Sequence, residues 1–194
     1  MLPGVTRLSI EVQKHYNMYM FSDPRHNIDQ LHISPNQIVV DMGAGSGHHA
    51  LWAAKAVAPN GRVVAVDIQR DLLGRLQKEA QKNHIRNLEV VSGDLEMLRG
   101  TNLRDGFCDV VIASNILFMI KNKKVFLEEA KRILKPRGRL LVIDWTGSFS
   151  SMGPHSDHVL YKDDCVKLVK SVGFEQEEEI HAGSHHYGII FRKP

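Results

Sequence analysis

Residues 38–49 read Ile38-Val39-Val40-Asp41-Met42-Gly43-Ala44-Gly45-Ser46-Gly47-His48-His49: an apolar strand carries Asp41 at its end, and glycine then stands at every second position. Glycines spaced this closely let the backbone turn sharply and lie against a ligand, because no Cβ intervenes. A helical pattern follows at once in Ala50, Leu51, Trp52, Ala53, Ala54, Ala56 and Val57. The loop therefore joins a strand to a helix N-terminus, where doubly wound sheets bind nucleotide-like ligands. A dinucleotide loop of the G-x-G-x-x-G type would need a third glycine at position 48, which is His48. The pattern is D-x-G-x-G-x-G instead.

Outward from this loop, strand and helix signals alternate, which predicts a parallel α/β sheet. Strands are expected at 37–42, 62–67, 88–92, 107–113 and 139–145, with helices at 48–58, 71–84, 122–134 and 162–172. Pro136-Arg137-Gly138 is expected to end the third of these helices, and 146–158 to form a loop. Segments 174–181 and 186–192 read as a closing hairpin around Ala182-Gly183-Ser184. Strands joined without a helix pair antiparallel. The expected fold is thus a Rossmann-like, doubly wound, seven-stranded sheet, mostly parallel, with an antiparallel C-terminal hairpin strand. Residues 36–194 make one domain. Residues 1–35 stand outside the alternation; Leu8, Val12, Tyr16 and Tyr19 share a helical face, suited to packing on the domain or closing over its ligand.

Composition narrows the class. With 194 residues, 43% of them hydrophobic and 24% charged, the chain suits one soluble globular domain. No apolar run reaches the roughly 20 residues of a membrane span, and the N-terminus lacks a signal-peptide pattern. The cytoplasm is the expected compartment. Cys108 and Cys165 make neither a disulfide framework nor a zinc spacing, and both read as buried structural residues. Basic residues gather at 121–139, read as a solvated helix face and turn rather than a nucleic-acid surface. The acidic run 175–179 is placed on the solvent side of a strand. No signal addresses oligomeric state.

Three carboxylates close the first three strands: Asp41, Asp67 and Asp94. Strand ends in such a sheet line one crevice. Asp67, twenty residues beyond Gly47, is placed to accept hydrogen bonds from ribose hydroxyls, Asp94 to meet an adenine amine, and Asp41 to hold the loop and face a cationic headgroup.

The chain resembles the class I S-adenosylmethionine-dependent methyltransferases, in the broad group containing the ubiquinone/menaquinone-biosynthesis C-methyltransferases. The residues that carry the resemblance are 39–47, Val63-Val64-Ala65-Val66-Asp67-Ile68, Ser92-Gly93-Asp94-Leu95-Glu96, 107–117 and 130–142, in that order. It implies S-adenosylmethionine as cofactor, with S-adenosylhomocysteine as product. Gly43, Gly45 and Gly47 would pack against its methionine part, Asp67 would bind the ribose, Ile68 and Leu95 would sandwich the adenine, and Asp94 would contact the amine. Ser114 and Asn115 would border the transfer site.

Ser114-Asn115-Ile116-Leu117 lacks the Asn/Asp-Pro-Pro-Tyr/Phe pattern of enzymes that methylate adenine or glutamine nitrogens. Two scattered cysteines do not match the metalloid-holding cysteines of arsenite methyltransferases. A small or lipid-like acceptor is the expected partner. A cofactor-binding protein without turnover, an RNA or protein methyltransferase, and a nicotinamide-dependent oxidoreductase are the alternatives. Five of the 11 histidines, His155, His158, His181, His185 and His186, fall in the last 40 residues. They read as surface and turn residues; alternatively His155 or His158 is a general base at the substrate mouth, since imidazole titrates near neutrality. No metal is expected, although His155, Asp157, His158 and His185 carry ligating groups. Trp145 and Phe149 are candidates for an apolar acceptor wall, with the core as the other place for Trp145.

Overall fold

The computed structural model describes residues 22–150 and 152–194. The apolar face at Leu8, Val12, Tyr16 and Tyr19 lies outside the described residues. Helix α1 (Pro24–Gln30) is started by Asp23, whose carboxylate accepts from the Arg25 amide at 2.9 Å, with Pro24 in the first turn. Then follow β1 (Ile38–Met42), α2 (His48–Ala56), β2 (Arg62–Asp67), α3 (Arg70–Lys82) and β3 (Leu88–Ser92). The second half runs β4 (Cys108–Ser114), α4 (Lys123–Ile133), β5 (Leu134–Trp145), a 3-10 turn (Ser156–His158), α5 (Lys162–Ser171), β6 (Glu175–Ile180) and β7 (His186–Arg192).

The sheet order is β3-β2-β1-β4-β5-β7-β6. The pairs from β3 through β5 are parallel, and β7 is antiparallel to both β5 and β6. The short connection between β6 and β7 forces that antiparallel insertion. Strand order reverses between β1 and β4, which opens a crevice at their carboxyl ends. One sheet face packs against α4 and α5 through Phe126, Leu127, Cys165 and Val169. The other packs against α1, α2 and α3 through Ile28, Leu31, Ala50, Ala53 and Leu76. Both cysteines are free and fully buried, and burial pushes both thiols up, Cys165 to about 12.

Two expectations change. Pro136-Arg137-Gly138 does not separate α4 from the fifth strand. The chain turns extended at Leu134, which pairs with Cys108, and a bulge then brings Arg139 opposite Val110 with Arg137 at φ +61°. Pro136, which has no amide hydrogen, sits in the bulged segment, where no ladder bond is lost. The basic stretch is also only partly a solvated face. Arg132 is 11% exposed; it donates to both oxygens of buried Glu129 at 2.8 Å and to Leu103 O at 2.8 Å. Burial raises the Glu129 pKa, but hydrogen bonds from Arg132, Thr101 and the Arg99 and Thr101 amides outweigh it and hold the group at about 2. Lys131 donates to Val172 O and Gly173 O beyond α5, and Lys135 to Asp109 at 2.7 Å. Arg132 and Lys135 thus pair with carboxylates, and Lys131 caps backbone carbonyls.

Candidate functional site

The glycine loop is built by its own backbone. Gly43 and Ala44 donate to Val66 O at 2.8 and 3.1 Å, and Gly47 donates to Ala44 O at 2.7 Å. Gly43, Gly45 and Gly47 take φ of +82°, +53° and +77°, a region that favours glycine. Their surroundings differ. A Cβ on Gly43 would meet Ile116 at 2.7 Å and one on Gly47 would collide with Leu76, whereas above Gly45 there is open space. The outer glycines let neighbouring side chains close in, and the middle one leaves bare backbone facing the crevice.

Asp67 ties that loop to the next strand: one carboxylate oxygen accepts from the Gly45 amide and the other from the Gln69 amide, both at 2.8 Å. Asp41 lies beneath, 3% exposed. Burial pushes its pKa up to about 7; the Ala50 amide offsets part of this, and the Asp67 charge adds to it. Asp94, half-buried just past β3, accepts from the Glu96 amide at 2.9 Å. Ile68 is 62% exposed beside the crevice, while Leu95 is buried in the core.

Ser114 ends β4 and Asn115 follows at φ +54°, its amide donating to Ile143 O at 2.8 Å. Ser114 Oγ and Asn115 Oδ1 are buried without a hydrogen-bond partner among the described residues. Asp144, fully buried at the end of β5, accepts from Phe118 N at 3.2 Å and Trp145 N at 2.8 Å; burial raises its pKa to about 6. Its carboxylate thus holds the turn that sets Ile116 over Gly43. The sequence reading missed Asp144, although the strand-end rule that found Asp41 and Asp67 applies equally to it.

The structure brings Asp41, Gly43, Gly45, Gly47 and Asp67 together around one loop, with Ser114 and Asn115 on the neighbouring strand. His155 and His158 lie at the exposed 3-10 turn, with His155 Nδ1 3.4 Å from Asp157. His185 and His186 are drawn inward: the Trp145 and His186 ring centroids lie 4.3 Å apart at a tilt of 43°, and those of Phe149 and His185 4.2 Å apart at 51°. Among the described residues no three His, Cys, Asp or Glu side chains group closely enough to hold a metal ion.

A family model described as a methyltransferase domain matches residues 33–183. Similar proteins include an arsenite methyltransferase of Halobacterium salinarum, 28% identical over 112 residues, covering 58% of this chain and 28% of that one. The ubiquinone/menaquinone biosynthesis C-methyltransferase UbiE of Hydrogenovibrio crunogenus is 33% identical over 124 residues, covering 63% of this chain and 47% of that one. The chain thus spans about a quarter to a half of the length of these curated relatives. In fold it is similar to a SAM-dependent methyltransferase from Aquifex aeolicus, with a TM-score of 0.82, 21% identity and coverage of 98% of this chain and 100% of that one.

The residues present fit S-adenosylmethionine. Bare backbone at Gly45 admits a close-lying ligand, the buried Asp41 carboxyl suits an ammonium, and Ser114 Oγ and Asn115 Oδ1, without partners among the described residues, suit polar contacts. The chain belongs to the methyltransferase-domain family, built on the class I fold whose cofactor is S-adenosylmethionine.

Proposed function

We propose that this chain transfers the methyl group of S-adenosylmethionine to a small-molecule or lipid-like acceptor held at the carboxyl ends of β4 and β5. The open face of Gly45, with Asp41 and Asp67 beneath and, beside it, Ser114 Oγ and Asn115 Oδ1 without partners among the described residues, carries the reading. When bound, the cofactor supplies a methyl group on a sulfonium, so the protein's work is alignment and exclusion of water. In this reading Gly43, Gly45 and Gly47 present backbone to the methionine part and Asp41 faces its ammonium. Asp67 takes the ribose hydroxyls through lone pairs not used by Gly45 and Gln69. Asp94 meets the adenine amine, exposed Ile68 covers one adenine face, and Leu95 borders the other.

Two observations bear on the acceptor. Both thiols are fully buried, which disfavours a metalloid held by cysteine; free thiols also support a cytoplasmic setting. Ile68, Met97, Leu98 and Met119 expose apolar surface in the segments following β2, β3 and β4. That surface supports residues 1–35 as a cover for the crevice, using the apolar face at Leu8, Val12, Tyr16 and Tyr19. Among the described residues no helix is long and apolar enough to cross a membrane.

Thermal melts with S-adenosylmethionine, S-adenosylhomocysteine and NAD test the cofactor assignment. Ligand at about 100 times its Kd stabilises by roughly 2.7 kcal/mol, a rise of roughly 5–10 °C for a domain of this size. Stabilisation by NAD alone overturns the reading. Transfer of labelled methyl to a small-molecule extract separates turnover from binding. The same assay on a His155→Ala/His158→Ala variant reads the base role: turnover several-fold lower supports it, and unchanged turnover removes it.

A further inference from the structure

Glu129 in α4 is fully buried, in a helix that packs on the opposite sheet face from α2. Its carboxylate is crowded with donors. Oε2 accepts from Arg99 N at 2.9 Å and Arg132 Nε at 2.8 Å. Oε1 accepts from Thr101 N at 3.2 Å, from the Thr101 hydroxyl and from Arg132 Nη2 at 2.8 Å. A buried ion pair is a weak source of stability, since apolar residues of like volume serve as well. What this pair supplies is direction: it aims two backbone amides of an irregular segment at one point. Arg99 at φ +63° and Asn102 at φ +57° are left-handed there, a conformation that such residues keep only where the surroundings impose it.

The held amides close the loop that follows β3. Asp94 opens this loop; Met97 N donates to Asp94 O at 3.2 Å and Gly100 N to Met97 O at 3.0 Å. Its two ends touch. A Cβ on Gly100 would collide with Asp94 O, and one on Gly93 with Gly100 O. Gly93 N in turn donates to Asp67 O at 3.1 Å, at the end of β2. Backbones packed this closely transmit displacement, so the placing of Arg99 and Thr101 sets the placing of Asp94. Glu96 ties the loop on its other side, accepting from Lys121 N in the turn after β4 at 3.1 Å. Within the loop Asp94 Oδ1 accepts from Glu96 N at 2.9 Å, which leaves Oδ2 for a donor from outside.

We propose that Glu129 is a positioning residue for the cofactor's nucleobase: by holding Arg99 and Thr101 at the neck of this loop it aims Asp94 Oδ2 at the purine 6-amino group, and so sets the preference for adenine over a 6-oxo purine. The assignment rests on the S-adenosylmethionine reading and adds to it how the base is selected. A carboxylate accepts hydrogen bonds and offers none, so it meets an amino group and repels a carbonyl oxygen. Selection therefore depends on where Asp94 points, which Glu129 decides without touching the base. Arg132 is held from its far side by Asp105 and by Leu103 O, so the Glu129 carboxylate is anchored to more than its own helix.

The test measures, by calorimetry on the full chain, the affinities for S-adenosylhomocysteine and for S-inosylhomocysteine, which carries a 6-oxo group in place of the 6-amino group. The wild type should prefer the adenine compound by roughly thirtyfold, the worth of one hydrogen bond to a charged group. In Glu129→Gln that preference should fall at least fivefold. Thr101→Val keeps the ion pair and the side-chain volume but drops the hydroxyl bond; its preference should fall at least twofold, and it decides the matter if Glu129→Gln does not melt cooperatively. In Asp94→Ala the preference should be near unity, and adding Glu129→Gln or Thr101→Val should leave it there, because both act through Asp94. A merely structural Glu129 would weaken both ligands by one factor. An unchanged preference in the folded variants, or one that still shifts in the Asp94→Ala background, overturns the proposal. So does a wild type that binds both compounds alike. A wild type that binds neither overturns the S-adenosylmethionine reading instead, and no variant is needed to see it.

Discussion

Asp41 shows how one residue links the cradle to the stability of the chain. Its carboxyl is held at about 7, against 3.8 in an exposed chain, because burial disfavours the charge. The folded state therefore holds this proton more tightly than the unfolded state. The resulting stability is complete below about pH 4 and is lost as pH rises toward 7, by up to about 4 kcal/mol. Asp41→Asn removes that dependence. Denaturant melts should show the variant gaining on the wild type between pH 5 and pH 8. Saturating S-adenosylhomocysteine should narrow the gap, since an ammonium beside Asp41 favours the carboxylate. A gap constant across that range would show that Asp41 is already ionised in the free protein.

At the scale of elements, the glycine loop separates two tasks that look alike in the sequence. Gly47 lets α3 close on the start of α2 through Leu76, while Gly45 leaves a surface bare. Gly47→Ala should therefore lower the melting temperature by several degrees, with φ +77° and the Leu76 collision acting together. Gly45→Ala, at φ +53° with nothing nearby, should cost about 1–2 kcal/mol of strain. It should nevertheless weaken S-adenosylhomocysteine binding at least tenfold by calorimetry. Equal binding by Gly45→Ala and wild type would remove this loop from the cofactor contact. The turn after β4 belongs to the same scale. Asp144 holds it at Phe118 N, and through it Ile116 reaches Gly43, so β5 helps to shape a loop that follows β1.

Over the whole molecule, the inserted β7 leaves β6 at a sheet edge. Its residues 175–179 are all exposed, four of them glutamates. Charge on an exposed edge opposes strand addition by a second chain. Glu177 pairs with Arg192 and Glu179 with Lys162, so Glu175 and Glu178 are the ones to replace. A Glu175→Val/Glu178→Val variant should keep its melting temperature within a few degrees and self-associate at concentrations where the wild type scatters no excess light. Unchanged scattering would show that this edge needs no charge to stay unpaired.

The cofactor half was legible because its determinants are local. A strand, three glycines and a helix start are contiguous in residues 38–56, and a strand-end carboxylate needs only its own strand to be placed. Alternation of short apolar runs with helical periodicity likewise specified seven strands and the antiparallel close. The sequence by itself therefore determined the fold, the loop and the cofactor. Only the tertiary structure decided which polar groups find partners. Arg132 is neutralised by Glu129 and Asp105, and Asp144 is engaged by the turn after β4. His186 is carried beside Trp145, and its buried ring nitrogens find no partner among the described residues. Burial and hydrogen-bond satisfaction are set by neighbours brought from distant parts of the chain, and no local pattern of residues encodes them.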